Sequence, residues 1–116
     1  MNKDKNIFDK EKADLVDTNK YDFAGLVVNN HTHECFLYDQ QIHLTPIEFS
    51  ILWYLCENKG KVISSEELFK AVWGEKTLNN NNTVMAHIGR LREKMKESAK
   101  NPQFIKTVWG VGYQIE

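Results

Sequence analysis

Val84, Ile88, Leu91 and Met95 recur at spacings of four, three and four residues, which is the spacing of one buried helical face. They predict a helix over residues 82–97. Thr83, His87, Arg90 and Lys94 repeat the same spacing one position earlier. At about 3.6 residues per turn they lie about 100° around the helix from the apolar stripe. One face can dock on the protein while the flank offers donors and positive charge. The bland alternative is a surface helix with a solvated basic flank. Gly89 inside this helix costs about 1 kcal/mol relative to alanine, and close approach of a backbone, its own or DNA's, is one reason for it.

The rest of the chain supplies partners for that helix. Residues 23–28 are apolar and β-prone, Asn29-Asn30 marks a turn, and residues 33–38 and 41–44 read as two further strands. Thr45-Pro46-Ile47-Glu48 opens a helix with a capping residue, a proline at the first helical position and a capping box. It runs to about Asn58, with Phe49, Leu52, Leu55 and Cys56 on its core face. Val62-Ile63 is long enough only for a bridging strand. A second capping box, Ser64 to Glu67, opens a helix over residues 65–73 that buries Leu68 and Val72. Gly74 ends it, and residues 75–81 read as an exposed polar loop. Residues 104–108 and 112–115 form two strands around Trp109-Gly110-Val111. Residues 1–21 carry too few apolar side chains to offset the entropy of ordering and read as a flexible linker or tail. The expected domain is residues 22–116, an α+β chain of antiparallel sheet, three helices and C-terminal hairpin.

At 116 residues the chain has room for one domain. Nothing approaches an apolar run long enough for a membrane span, and the charged N-terminus does not look like a signal peptide. Two cysteines are too few for a disulfide scaffold, so a cytoplasmic setting is expected. The net charge of −1 argues weakly against a nucleic-acid partner, but its distribution argues the other way. Residues 1–22 hold five Lys/Arg and six Asp/Glu, residues 23–81 four and seven, and residues 82–116 six and three. Basic character is confined to the last third, where the two-faced helix lies.

Other chemistry finds little support. His31-x-His33-x-Cys35 would place alternate side chains on one strand face, with His43 or Cys56 as a fourth metal ligand. No second ligand pair stands at zinc-site spacing. No phosphate loop, nucleophile elbow or His-Glu zinc motif is present. The reading is a non-enzyme with no metal or cofactor. Two helices followed by a third with a polar flank suggest a helix-turn-helix variant, and a hairpin after the recognition helix would be a wing.

Leu44-Thr45-Pro46-x-Glu48-Phe49, Val62-x-Ser64-Ser65-Glu66-x-Leu68, Val72-Trp73-Gly74, Thr83-Val84-x-x-His87-Ile88-x-x-Leu91-Arg92 and Thr107-Val108-x-Gly110-x-Gly112-Tyr113 stand in an order and spacing that resembles the effector domain of OmpR/PhoB-type response regulators. The resemblance covers residues 22–116. It implies a winged helix-turn-helix that binds double-stranded DNA at direct-repeat half-sites and regulates transcription. It also implies a phosphorylated receiver upstream, answering a cognate sensor kinase and supplying dimerisation, so that the domain alone would be a monomer. Residues 65–73 would be the positioning helix and residues 82–97 the recognition helix. Gly74, Glu75, Lys76, Thr77, Leu78, Asn79 and Asn80 would form the loop that touches RNA polymerase.

Carried over position by position, Trp73, Thr83, His87, Thr107, Gly110 and Tyr113 match phosphate-contacting positions, and Thr83, Ala86 and Arg90 match positions facing bases. Trp73 and Tyr113 can also be read as core aromatics, and Arg92 points away from the Thr83–Arg90 side toward a protein partner. Arg90, Lys94 and Lys106 are the leading cationic contacts. About three neutralised phosphates imply a slope near −3 in log affinity against log salt. Trp109 stands where the family's wing commonly has arginine, and Asn82 and Gly89 where basic residues are frequent. The rival reading is a winged-helix module for protein contacts, with the polar loop and Trp109 as its surface.

Overall fold

The computed structural model describes residues 17–74, 81–98 and 100–116. Most of the expected linker, and Glu75, Lys76, Thr77, Leu78, Asn79 and Asn80 of the expected polymerase loop, lie outside the described residues.

The chain begins with a four-stranded antiparallel meander, β1 (Lys20–Phe23), β2 (Leu26–Asn29), β3 (Glu34–Leu37) and β4 (Gln40–Ile42), in spatial order β1-β2-β3-β4. Three helices follow, α1 (Pro46–Glu57), α2 (Ser65–Trp73) and α3 (Asn81–Lys94), with the two-residue strand β5 (Ile63–Ser64) between the first two. The hairpin β6 (Ile105–Val108) and β7 (Gly112–Ile115) closes the chain, and β5 adds to it in the order β5-β7-β6. The core between the sheets joins Leu26 and Val28 to Ile51, Leu52 and Leu55 of α1, Leu68 of α2, Val84, Ile88 and Leu91 of α3, and Ile105 and Ile115 of the hairpin. The apolar stripe expected on α3 is therefore buried in full, Met95 included.

The N-terminal sheet departs from expectation. Residues 23–28 do not make one strand, because Ala24 and Gly25 both take positive φ and turn the chain into β2, the geometry of a two-residue primed turn. The ring of Tyr38 packs so close to Gly25 that a Cβ there would meet it at 2.3 Å. The third expected strand is instead Gln40–Ile42, entered through a second two-residue turn in which Tyr38 and Asp39 both have positive φ. The domain also starts earlier than residue 22: Lys20 and Tyr21 are in β1, and Tyr21, paired with Val28, is 7% exposed.

Helix ends follow side-chain chemistry. At the start of α1 the Thr45 hydroxyl accepts from the Glu48 amide at 3.2 Å while Glu48 Oε1 accepts from the Thr45 amide at 3.0 Å. At α2 only half of the expected box forms. Ser64 Oγ accepts from the Glu67 amide, but the Glu67 carboxylate accepts from the Tyr54 hydroxyl at 2.8 Å. Helix α3 stops at Lys94, short of the expected residue 97. Lys96 turns left-handed (φ 57°), its amide donating to Glu93 and that of Glu97 to Arg92, which is a Schellman ending. The freed Glu97 carboxylate then accepts from the amides of Phe104 and Ile105 at 2.9 and 2.7 Å, so helix end and hairpin start share one cap.

Glu48 does more than cap. It is 2% exposed, and Lys94 Nζ donates to its Oε1 at 2.6 Å. Burial raises its pKa, but the bonds from Lys94 and Thr45 outweigh that, and the net shift is downward from the ordinary value.

Two measurements check this packing. Ile88→Ala leaves a cavity beneath α3 and lowers stability by about 2–5 kcal/mol in denaturant titration; an unchanged midpoint would mean the helix faces are misassigned. A folded-state pKa below the unfolded one makes the Glu48 contribution complete above the unfolded value and lost as pH falls through the folded one. Stability measured from neutral pH downward is therefore expected to drop below about pH 4.5 by more in the native protein than in Glu48→Gln, and parallel acid limbs would contradict it.

Candidate nucleic-acid interface

The exposed side of α3 carries Asn82, Thr83, Met85, Ala86, Gly89, Arg90 and Glu93. These side chains are short or flexible, so the helix backbone itself is accessible along Ala86 and Gly89. Among the described residues nothing lies within 4 Å of where a Gly89 Cβ would be, so their packing gives no reason for this glycine.

His87 sits at the boundary of the core. Its Nδ1 is 2.9 Å from the Thr83 carbonyl, a contact in which the ring donates, leaving Nε2 on the opposite side of the imidazole. Trp73 holds the ring from the side with an edge contact at 5.2 Å, and Trp73 in turn stacks on Phe69 at 4.6 Å. Trp73 is thus half-buried, both core aromatic and the support of His87, and its place at the end of α2 ties that helix to α3.

The hairpin stands beside α3. Ser64, Glu66 and Met85 line one cleft together with Trp109, Gly110 and Val111 of the hairpin tip. The tip is a tight turn: the Val111 amide donates to the Val108 carbonyl at 2.9 Å, and Gly110 takes φ 78°, a conformation glycine adopts without strain. Trp109 at its corner is 88% exposed, and Val111 is exposed beside it. The rest of the hairpin is locked down. Gly112 could not carry a side chain, since a Cβ would meet the Ile63 carbonyl oxygen at 2.0 Å.

Several expected contacts are otherwise engaged. Tyr113 is 8% exposed, a core aromatic under the Arg92 guanidinium at 5.9 Å. Arg92 is itself buried, donating from one terminal nitrogen to the Ile105 carbonyl and the Thr107 hydroxyl, both at 2.8 Å, while its Nε has no partner. Burial lowers its pKa from the ordinary value. Thr107 therefore uses its oxygen as an acceptor within the protein, though its hydroxyl hydrogen remains available to donate. Lys94 is bound to Glu48, and Lys106 Nζ donates to Glu116 Oε1 at 2.7 Å. Arg90 is 52% exposed, with Nε 3.9 Å from Glu48 Oε2, an ion pair too long to be a hydrogen bond. Thr83, Ala86, Arg90, Trp109 and Gly110 are the residues assigned from sequence that face outward without reservation. Glu116 and Met85 escaped the sequence reading, and so did the pairing of Glu48, read there only as a cap, with Lys94. Glu48 is 46 positions from Lys94, and no local pattern signals such a pairing.

The residues considered for a metal do not converge. Cys35 is buried in the core, where burial raises its pKa to about 11. His33 lies in the β2–β3 turn with positive φ and stacks on Phe49, and His31 pairs with Asp17. Among the described residues no helix is long and apolar enough to cross a membrane.

The family described as "Transcriptional regulatory protein, C terminal" matches residues 39–115. The chain is 60% identical over 97 residues to the regulatory protein VanRc of Enterococcus gallinarum and 58% identical over 94 residues to VanR of Enterococcus faecium. These matches span 84% and 80% of this chain but 42% and 41% of those proteins, so the chain corresponds to less than half the length of these relatives. The RstA DNA-binding domain of Klebsiella pneumoniae, solved in complex with the RstA box, superposes with a TM-score of 0.78 at 27% identity, over 83% of this chain and 95% of that one. The response regulator DrrB of Thermotoga maritima, an OmpR/PhoB homologue, superposes with a TM-score of 0.75 at 36% identity, over 84% of this chain and 44% of that one. With its fold, its motifs and these relatives in agreement, the chain belongs to the C-terminal effector-domain family of OmpR/PhoB-type transcriptional regulators.

Proposed function

We propose that this domain is the sequence-specific, double-stranded-DNA-binding output of a two-component response regulator. The observation that carries it is the continuity of the exposed face of α3 with the hairpin tip across the cleft shared by Met85 and Trp109. An α-helix fits the major groove, where base pairs are distinguishable by their donor and acceptor patterns. On that reading α3 enters the major groove, Thr83, Ala86 and Arg90 face bases, and Trp73, Thr83, His87, Thr107 and Gly110 meet phosphates from either side. The wing tip, led by Trp109, reaches the adjacent minor groove. Tyr113 contributes at most its hydroxyl, because its ring is core.

The remaining assignments follow from family membership. Two copies would occupy direct repeats, with dimerisation supplied by a receiver that answers a sensor kinase, and the isolated domain would be a monomer. The loop from Gly74 to Asn80 would touch RNA polymerase, the segment before β1 would link to the receiver, and the setting would be cytoplasmic. A role in vancomycin resistance rests on the likeness to VanR. The reading as a non-enzyme rests on the likeness to a family of transcriptional regulators.

The test is selection of bound duplexes from a random DNA pool, followed by footprinting. Enrichment of a repeated motif supports the reading; salt-insensitive association with a protein and no enriched duplex overturns it. Arg90→Ala is expected to relax discrimination at one base pair and to cost about 1–3 kcal/mol of specific binding. Equal weakening on selected and random DNA would make Arg90 a phosphate contact instead. Trp109→Arg is expected to steepen the salt slope by about one unit, because one more phosphate is neutralised. An identical slope would place position 109 away from DNA.

A further inference from the structure

The cations of α3 and the hairpin are Arg90, Arg92, Lys94 and Lys106, and each has an acceptor inside the protein. Lys94 Nζ lies 2.6 Å and Arg90 Nε 3.9 Å from the two oxygens of Glu48; Lys106 Nζ lies 2.7 Å from Glu116; Arg92 turns inward onto Ile105. We propose that Glu48 and Glu116 hold down this domain's sequence-independent affinity for DNA by withholding cations from the phosphate backbone, an inference that rests on the DNA-binding reading above.

The two carboxylates do so with unequal strength. Glu48 is almost completely buried. For Lys94 to swing to a phosphate it would have to leave that buried carboxylate with only the Thr45 amide and the long contact to Arg90, which is unfavourable. Lys94 is therefore held. Arg90, half exposed and beyond hydrogen-bonding distance, keeps its terminal nitrogens available for a base while Glu48 offsets part of its charge. Lys106 and Glu116 are both exposed, an ion pair that solvent and salt loosen easily, so Lys106 is only partly withheld.

The consequence concerns the sequence-independent part of the affinity. Non-specific binding to duplex DNA comes almost entirely from cations neutralising phosphates, with a slope of about −0.9 in log affinity against log salt for each. Removing cations from that role lowers binding to every sequence, while the contacts of Thr83, Ala86 and Arg90 with base edges are kept. A surface read from its uncompensated charges would show a slope near −3; this arrangement leaves Arg90 as the leading contact and a slope nearer −1 to −2.

The experiment is fluorescence anisotropy with a random-sequence duplex and with a duplex enriched by selection, each across a salt series, for the native domain, Glu48→Gln and Glu116→Gln. Glu48→Gln is expected to steepen the random-duplex slope by about one to two units and Glu116→Gln by up to one. Near 0.1 M salt each freed cation tightens random-duplex binding by up to about tenfold, and selected-duplex binding with it, so that their ratio changes little. A purely structural role for Glu48 would weaken binding and leave the slope unchanged, and that result would overturn the proposal for Glu48. Should Glu48→Gln fail to fold by circular dichroism, Glu116→Gln, whose pair is exposed, decides alone: a native slope and native random-duplex affinity would overturn the proposal. If the native domain enriches no duplex and shows no salt-dependent binding, it is the DNA-binding reading that fails. Enrichment with unchanged slopes in both variants confines the failure to this inference.

Discussion

A carboxylate taken out of water must be met by donors, and in this domain the position of α3 depends on that requirement. Glu48 closes the capping box at the start of α1 and receives Lys94 from the last turn of α3. At the same end of α3, Glu97 caps the first amides of the hairpin, and Arg92 reaches the Ile105 carbonyl and the Thr107 hydroxyl. The helix is therefore tied by polar contacts to the helix before it and the sheet after it, with the Val84–Met95 stripe packed between. Which of its faces meets solvent is fixed before any partner arrives, and such preorganisation lowers the entropy lost on binding.

That rigidity comes with a surface of modest charge. The outward face of α3 is small or neutral at Asn82, Ala86 and Gly89, and the hairpin tip presents an indole at Trp109. Such a surface gains less from counterion release than a strongly basic one. Its contacts to bases and its fit to groove shape then have to supply more of the binding.

Much of this was legible in the sequence, because the signals were local. The two stripes of α3 follow from helical period, and the start of α1 from Thr45, Pro46 and Glu48 at capping-box spacing. What was not legible depends on contacts between distant residues. The turn at Ala24-Gly25 is hidden in an apolar run and is explained only by the ring of Tyr38 against Gly25. Glu67 has the sequence position of a capping-box acid, but the hydroxyl of Tyr54 from the preceding helix takes its carboxylate. The early end of α3 depends on Glu97 finding the amides of Phe104 and Ile105. The same reason governs the site. Thr83, Ala86 and Arg90 face outward as helical spacing dictates, whereas the commitments of Lys94, Lys106, Thr107 and Tyr113 required the fold.

The central claim is that one continuous surface, the outer face of α3 with the adjoining hairpin tip, receives duplex DNA. Titrating the isotope-labelled domain with a selected duplex and following backbone amide shifts by NMR tests it most directly. The account predicts large shifts at Thr83, Ala86, Gly89 and Arg90 and at Trp109 and Gly110, with β1 to β4 little changed. Shifts concentrated on the N-terminal sheet, or confined to the hairpin with α3 silent, would contradict it.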